Sequence, residues 1–96
     1  MLTSQPPKHL STRSRRFWRD VLRDFDLEPS GLAILRVACE AMDRMDEARS
    51  LVTAEGLTVE GRLGPRAHPA LSIERDARLA MLRALRALGL DKESQR

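Results

Sequence analysis

An all-α fold is predicted by three features of the sequence. Fifteen leucines and eleven alanines stand against six β-branched apolar residues, Val21, Ile34, Val37, Val52, Val59 and Ile73, a mix that favours helix over sheet. Apolar residues recur every three or four positions in three separate stretches, which is the spacing of one helix face. The prolines, and every glycine except Gly31, fall at or between the ends of those stretches, where they act as boundaries. The expected architecture is a short N-terminal helix, a long central helix, a short hairpin or loop and a third helix.

Each element has its own local warrant. Residues 1–10 read as an extended N-terminal arm, because Pro6 and Pro7 block helix there. Ser11 is a good N-cap, and Leu10 before it can staple the first turn. The first helix is expected over residues 12–25. Phe17, Trp18, Val21, Leu22 and Phe25 give it an apolar stripe that holds all three aromatic residues of the chain. After a short break, Pro29 suits the opening turn of the second helix. That helix is expected over residues 29–55, closed by Gly56, and at 1.5 Å per residue it spans about 40 Å.

The second helix carries two apolar seams. One is Leu32, Leu35, Cys39 and Met42; the other is Ile34, Ala38, Ala41, Met45, Ala48 and Val52. A helix in a small monomer needs one buried face, so two seams predict packing both on its own chain and on a neighbour. Leu35, Cys39, Met42, Met45 and Val52 are the candidate oligomer interface. Gly61, Gly64 and Pro65 punctuate the segment that follows. A strand at Leu57, Thr58 and Val59, returning through Arg62 and Leu63, predicts a small hairpin or an irregular loop. The third helix is expected over residues 69–88, ended by Gly89, with a broad apolar arc. Residues 11–89 thus form one helical domain, and residues 90–96 a polar C-terminal tail.

Size and cysteine content bear on how such a fold is held together. A chain of 96 residues buries roughly 60–68% of the surface its unfolded form exposes, so its own core is marginal. One cysteine closes no internal disulfide, and no Cys/His cluster offers zinc ligands. Self-association is therefore the expected source of extra burial. There is no signal-peptide pattern, and no apolar run approaches the ~18 residues of a membrane span. A soluble, intracellular protein without membrane contact is expected.

Several chemistries lack their residues. Gly61 and Gly64 do not form a phosphate-cradling loop with a following Lys-Ser or Lys-Thr pair, so ATP hydrolysis by this chain is not expected. His9 and His68 read as surface or turn residues, and Cys39, on an apolar seam, as a structural thiol. The Glu40, Asp43 and Glu47 strip reads as a solvated or salt-bridged face rather than a cation site. The chain is expected to be no enzyme and to use no cofactor or metal.

Charge is distributed in blocks. Residues 1–23 hold six basic residues against one acid, residues 24–60 three against nine, and residues 61–96 eight against four. A basic–acidic–basic chain can bind anions at its ends or pair with copies of itself. The first helix is the principal anion-binding candidate. Arg15, Arg16, Arg19 and Arg23 recur at three to four residues and can share a face opposite Phe17 and Val21. Guanidinium groups grip phosphate through paired hydrogen bonds. Arg13, and Lys8 and His9 on the arm, extend the candidate DNA-binding set. The competing reading pairs these arginines with acids of the second helix, in the same or an adjacent subunit. One subunit with few phosphate contacts binds DNA weakly and without sequence preference; an oligomer multiplies the contacts.

The order of features also resembles a known family. Pro6, Pro7, Leu10 and Ser11 lead into a short helix bearing Trp18. A long Ala/Met-rich helix ends in Glu55, Gly56 and Leu57, and the run Pro69, Ala70, Leu71, Ser72, Ile73 opens a helix that ends Leu88, Gly89, Leu90. This combination, over about residues 6–90, resembles the small terminase subunit of tailed phages, in the branch built on a helical hairpin. The resemblance implies a non-catalytic DNA-packaging adaptor in the cytoplasm of a bacterial host cell. Such subunits assemble as homo-oligomeric rings, bind double-stranded DNA and deliver it to a large subunit that carries the ATPase and nuclease. The second and third helices would form the ring core, and Leu90, Asp91, Lys92 and Arg96 would belong to the tail that docks the large subunit.

Some positions depart from the family pattern. His68 stands where the family usually has Asn, the tail lacks the usual proline and arginine-rich run, and no helix-turn-helix precedes Pro6. Weak, sequence-independent DNA binding is therefore expected, as for a reduced prophage or gene-transfer-particle relative. The alternative is a small helical interaction scaffold or regulator that binds no DNA.

Overall fold

The computed structural model describes residues 4–90. In chain order these form α1 (Thr12–Asp24), α2 (Pro29–Glu55), β1 (Thr58–Gly61), β2 (Gly64–Ala67) and α3 (Ala70–Ala87). Helices dominate, and the two strands form one small antiparallel ribbon. The body is a rod, 58 × 29 × 22 Å, whose long axis is set by the length of α2.

The helix ends follow from local chemistry. The Ser11 hydroxyl accepts from the Ser14 N–H at 3.1 Å and caps α1. Phe25 is extended and ends that helix. Pro29 opens α2 where a missing N–H leaves no donor unsatisfied, and Gly56, at φ 94°, closes it. The end of α3 is a Schellman cap. The Gly89 N–H bonds to the Arg86 carbonyl at 3.0 Å, and the Leu90 N–H to the Leu85 carbonyl at 2.8 Å. Leu90 is thereby folded back as part of the helical body, although it was expected in the docking tail. Asp91, Lys92 and Arg96, the rest of that set, lie outside the described residues.

Between α2 and α3 the chain forms a true hairpin. Its register pairs Thr58 with Ala67, Val59 with Arg66, Glu60 with Pro65 and Gly61 with Gly64. Arg62 and Leu63 are the turn itself and not the returning strand that the sequence suggested. Neither has positive φ; Gly64, at φ 121°, redirects the chain instead. Beyond the ribbon, the His68 N–H bonds to the Leu57 carbonyl at 2.8 Å.

His68 is buried, and it is no surface histidine. Its Nδ1 accepts from the Ala70 N–H at 3.0 Å, and its Nε2 lies 2.7 Å from Glu55 Oε1. With Nδ1 accepting, Nε2 is the ring nitrogen that donates to the Glu55 carboxylate. Pro69 already has helical dihedrals, so the imidazole caps α3 in the way an Asn side chain does.

Both apolar seams of α2 are taken up within the chain. Leu35 and Cys39, each fully buried, form one cluster with Leu10, Trp18 and Val21, against which Phe17, Leu22, Leu27, Leu32, Leu88 and Leu90 pack. The other seam contributes the buried Ala38, Met45 and Ala48. On the α3 side Ala70, Ala77 and Ala84 are buried, and α2 and α3 share the most extensive contact in the molecule. Small residues on both helices allow that close approach. The residues of the expected oligomer interface lie mostly inside the subunit. Leu35, Cys39, Met42 and Met45 are buried in the chain's own core and Val52 is half-buried, leaving little of them for a neighbour. The extensive contact with α3 accounts for burial on the second seam.

Residues 4–10 lie against the helices. Pro6 and Leu10 are buried, and the Trp18 indole N–H donates to the Ser4 carbonyl at 3.1 Å. Trp18 thus fills the core and satisfies its polar atom on the arm.

Candidate nucleic-acid interface

The placement of α1 on α2 determines which cations face solvent. Ser14, Trp18 and Val21 are buried. Successive helix positions turn by about 100°, so Arg16, Arg19 and Arg23 point outward on the opposite ridge, and all three are exposed. Arg15 sits half-buried on the flank.

Polar contacts lock the start of α1 to α2. Asp43 accepts from the Ser11 N–H at 2.8 Å and from the Ser11 hydroxyl at 2.5 Å, and the Ser14 hydroxyl also reaches it. Ser14 Oγ lies 3.1 Å from the Cys39 carbonyl as well. Burial pushes the Asp43 carboxyl up, but the Ser11 and Ser14 hydrogen bonds, with a smaller contribution from His9, outweigh it and hold the group below the usual carboxylate range. Glu40 is also held low, first by its hydrogen bond from Arg36. Arg36 Nε is 3.0 Å and His9 Nε2 is 2.7 Å from Glu40 Oε2. The Cys39 thiol is pushed up to about 12, first by burial and then by Asp43 and Glu40. It is a buried structural thiol with no character of a nucleophile.

The candidate cations divide into two groups. Arg13 is bound to Asp46 through both carboxylate oxygens, at 2.5 and 2.6 Å. For this residue, pairing with an acid of the second helix is the correct reading. Arg23 pairs within its own helix, with Asp20 at 3.2 Å and Asp24 at 3.8 Å. His9, expected to extend the anion contact, is directed to Glu40. By contrast Lys8, Arg15, Arg16 and Arg19 have no ion-pair or side-chain hydrogen-bond partner among the described residues. The same holds for Arg62 and Arg66 on the hairpin and Arg83 on α3.

The acid strip of α2 is fully engaged. Asp43 holds α1, Glu40 holds Arg36 and His9, and Glu47 faces Arg44 at 3.6 Å. No group of metal-ligating side chains occurs among the described residues. Two features escaped sequence reasoning. Asp43 as the anchor of α1 was readable only as an acid one turn beyond Cys39. Glu74, joining Arg49 at 3.2 Å and Arg78 at 3.0 Å, links α2 to α3 across a sequence separation that no local pattern reveals.

A long helical hairpin, closed by a β-ribbon and flanked by a cationic helix that the α2 acids only partly neutralise, defines a small helical subunit with an open cationic face. The chain belongs to the phage terminase small-subunit family: the family described as "Phage terminase, small subunit" matches residues 15–96, from the second turn of α1 onward. Membership carries a general role in phage DNA packaging and general association with a terminase large subunit and DNA, in a family that is generally non-catalytic. No curated protein and no solved structure matches the chain. Among the described residues no helix is long and apolar enough to cross a membrane.

Proposed function

We propose that this chain is a non-catalytic packaging adaptor that self-associates, holds double-stranded DNA weakly and without sequence preference, and delivers it to the ATPase and nuclease of a large subunit. The observation that carries the DNA contact is the unneutralised group Arg15, Arg16 and Arg19 on α1, joined by Lys8. Their neighbour Arg13 is consumed by Asp46, so the acids of α2 do not account for these cations. Arg23, half-neutralised by Asp20 and Asp24, contributes at the margin.

Self-association uses surfaces other than the buried residues of the two α2 seams. Val37, Ile73, Leu79 and Leu82 are large apolar residues left exposed on α2 and α3. A shallow groove between these helices, lined by Val37, Ala41, Ile73, Ala77 and Ala80, suits packing of neighbours into a ring. Docking on the large subunit falls to residues 91–96.

The test reverses Arg15, Arg16 and Arg19 to Glu in one variant. The assembly seen by native mass spectrometry should survive, while affinity for duplex DNA collapses and the dependence on salt flattens. Loss of the assembly with no prior DNA binding by the wild type would favour the interaction scaffold. A nanomolar preference for one short duplex at physiological salt would overturn the sequence-independent reading.

A further inference from the structure

The hairpin carries a combination that the packaging reading does not use. Leu63, at its tip, is 100% exposed. Arg62 beside it and Arg66 on the returning strand are exposed and have no ion-pair partner among the described residues. Among the described residues Arg13, Arg23, Arg36, Arg44, Arg49, Arg75 and Arg78 all pair with acids.

Arg66 is held toward the tip. A Cβ added at Gly61 would stand 3.0 Å from Arg66 Cδ and 2.8 Å from the Gly64 carbonyl oxygen. Glycine at 61 therefore lets the Arg66 stem lie across the end of the ribbon. Val59 pairs with Arg66, and Glu60 with Pro65. Side chains alternate along a strand, so Glu60, the one acid of the ribbon, belongs to the opposite face from Arg66.

We infer that this tip is a wedge for duplex DNA: Leu63 enters a groove while Arg62 and Arg66 meet the flanking phosphates. Two-stranded ribbons are used in either groove of DNA, and an apolar side chain with cations beside it, entering from the minor groove, is the arrangement by which proteins part base steps. A protein partner is the weaker fit. Stable protein interfaces need on the order of 1,000 Å² with a cluster of anchors, and this ribbon offers one leucine at its tip. On DNA the affinity comes from phosphates and the leucine only has to insert. The inference rests on the reading of the chain as a DNA-engaging subunit, but not on α1 being the surface that engages. The hairpin lies beyond the C-terminal end of α2, whereas α1 packs along the part of α2 that holds Leu35, Cys39 and Asp46, so the two contacts are spatially separate.

The test uses the full chain and a mixed-sequence duplex with dyes at its ends and 2-aminopurine within it. Wild type should bend the duplex and raise 2-aminopurine fluorescence. Leu63→Ser removes no packing, and should abolish the bend and the fluorescence rise while weakening binding only a few-fold. Arg62→Gln with Arg66→Gln should weaken binding roughly tenfold and make the salt slope shallower by about 1.8 per engaged subunit. If these variants match wild type in affinity, slope and bend while the α1 reversal abolishes binding, the wedge is wrong and the packaging reading stands. If the α1 reversal has no effect while the hairpin variants do, the wedge stands and the assignment to α1 falls. If wild type binds no duplex, both fall. If Leu63→Ser leaves DNA binding and bending intact but loses the large subunit in a pull-down, the tip is a protein contact and the inference is overturned.

Discussion

Replacing Asp43 with Ala should unfasten α1 from α2. Asp43 accepts the Ser11 N–H at 2.8 Å, the Ser11 hydroxyl at 2.5 Å and the Ser14 hydroxyl. Hydrogen bonds to a charged acceptor contribute about 1.5–3 kcal/mol each when well buried, and the two from Ser11 are exposed. Water can satisfy the Ser11 N–H in the variant, and the Ser14 hydroxyl keeps the Cys39 carbonyl at 3.1 Å. The net loss is therefore about 2–3 kcal/mol, near the cost of one strong bond. Asp43→Asn retains one acceptor oxygen and should lose about half as much. The measurement is urea unfolding followed by Trp18, the single tryptophan and 4% exposed, at one fixed protomer concentration because assembly shifts apparent stability. With a slope of about 1–2 kcal/mol per molar urea, the midpoint should fall by roughly 1–3 M. The pH dependence is a second constraint. The folded carboxyl titrates below its unfolded value of about 3.9. The stabilisation is thus complete above that value and is lost as pH falls through the lower folded one. The gap between wild type and Asp43→Ala should stay constant from neutral pH down to about pH 5 and close below about pH 4. A loss under about 0.5 kcal/mol, or a gap that widens in acid, would refute this account of how α1 is held.

Three further outcomes can be checked. His68→Ala should cost about 1–2 kcal/mol in urea unfolding, since the α3 cap and a buried polar contact are both lost; His68→Asn should cost less, because an amide oxygen can still accept the Ala70 N–H. Met45→Asp should give unfolded chain by circular dichroism rather than folded monomers, because Met45 is 6% exposed within the subunit itself. Cys39, with its thiol raised to about 12, should react with a thiol reagent at pH 8 only at the rate of unfolding; rapid labelling of native protein would contradict its burial.

The helices were readable because periodicity and capping agree in each. Ser11, Pro29 and Gly56 sit at ends that local chemistry dictates, and Leu32, Leu35, Cys39 and Met42 mark a buried face whatever covers it. What covers it was not readable. Apolar spacing gives the direction of burial but not the partner, so a two-sided α2 looked like a helix shared with a neighbour when α1 and α3 supply both sides. The candidate interface residues Leu35, Cys39, Met42 and Met45 are covered within the subunit for that reason. The cationic site was legible as a cluster but not residue by residue. Arg13 and Arg16 look alike in sequence; only the approach of Asp46 across the α1–α2 crossing separates a neutralised cation from an open one. His68 was visible as a departure from the family pattern, yet its capping role depends on a ring nitrogen lying over the Ala70 N–H.

Fastening α1 at its first turn by Asp43 and along its length by Trp18 and Val21 has a thermodynamic consequence for any anion that meets it. The backbone carrying Arg15, Arg16 and Arg19 is ordered before contact, so only side-chain rotamers remain to be fixed, about 2 kcal/mol or less for each arginine. A disordered basic segment of the same composition must also order its backbone, at roughly 1–2 kcal/mol per residue. A phosphate that meets this helix would therefore be held with less ordering cost per charge, at a guanidinium spacing set by helix pitch rather than by the partner.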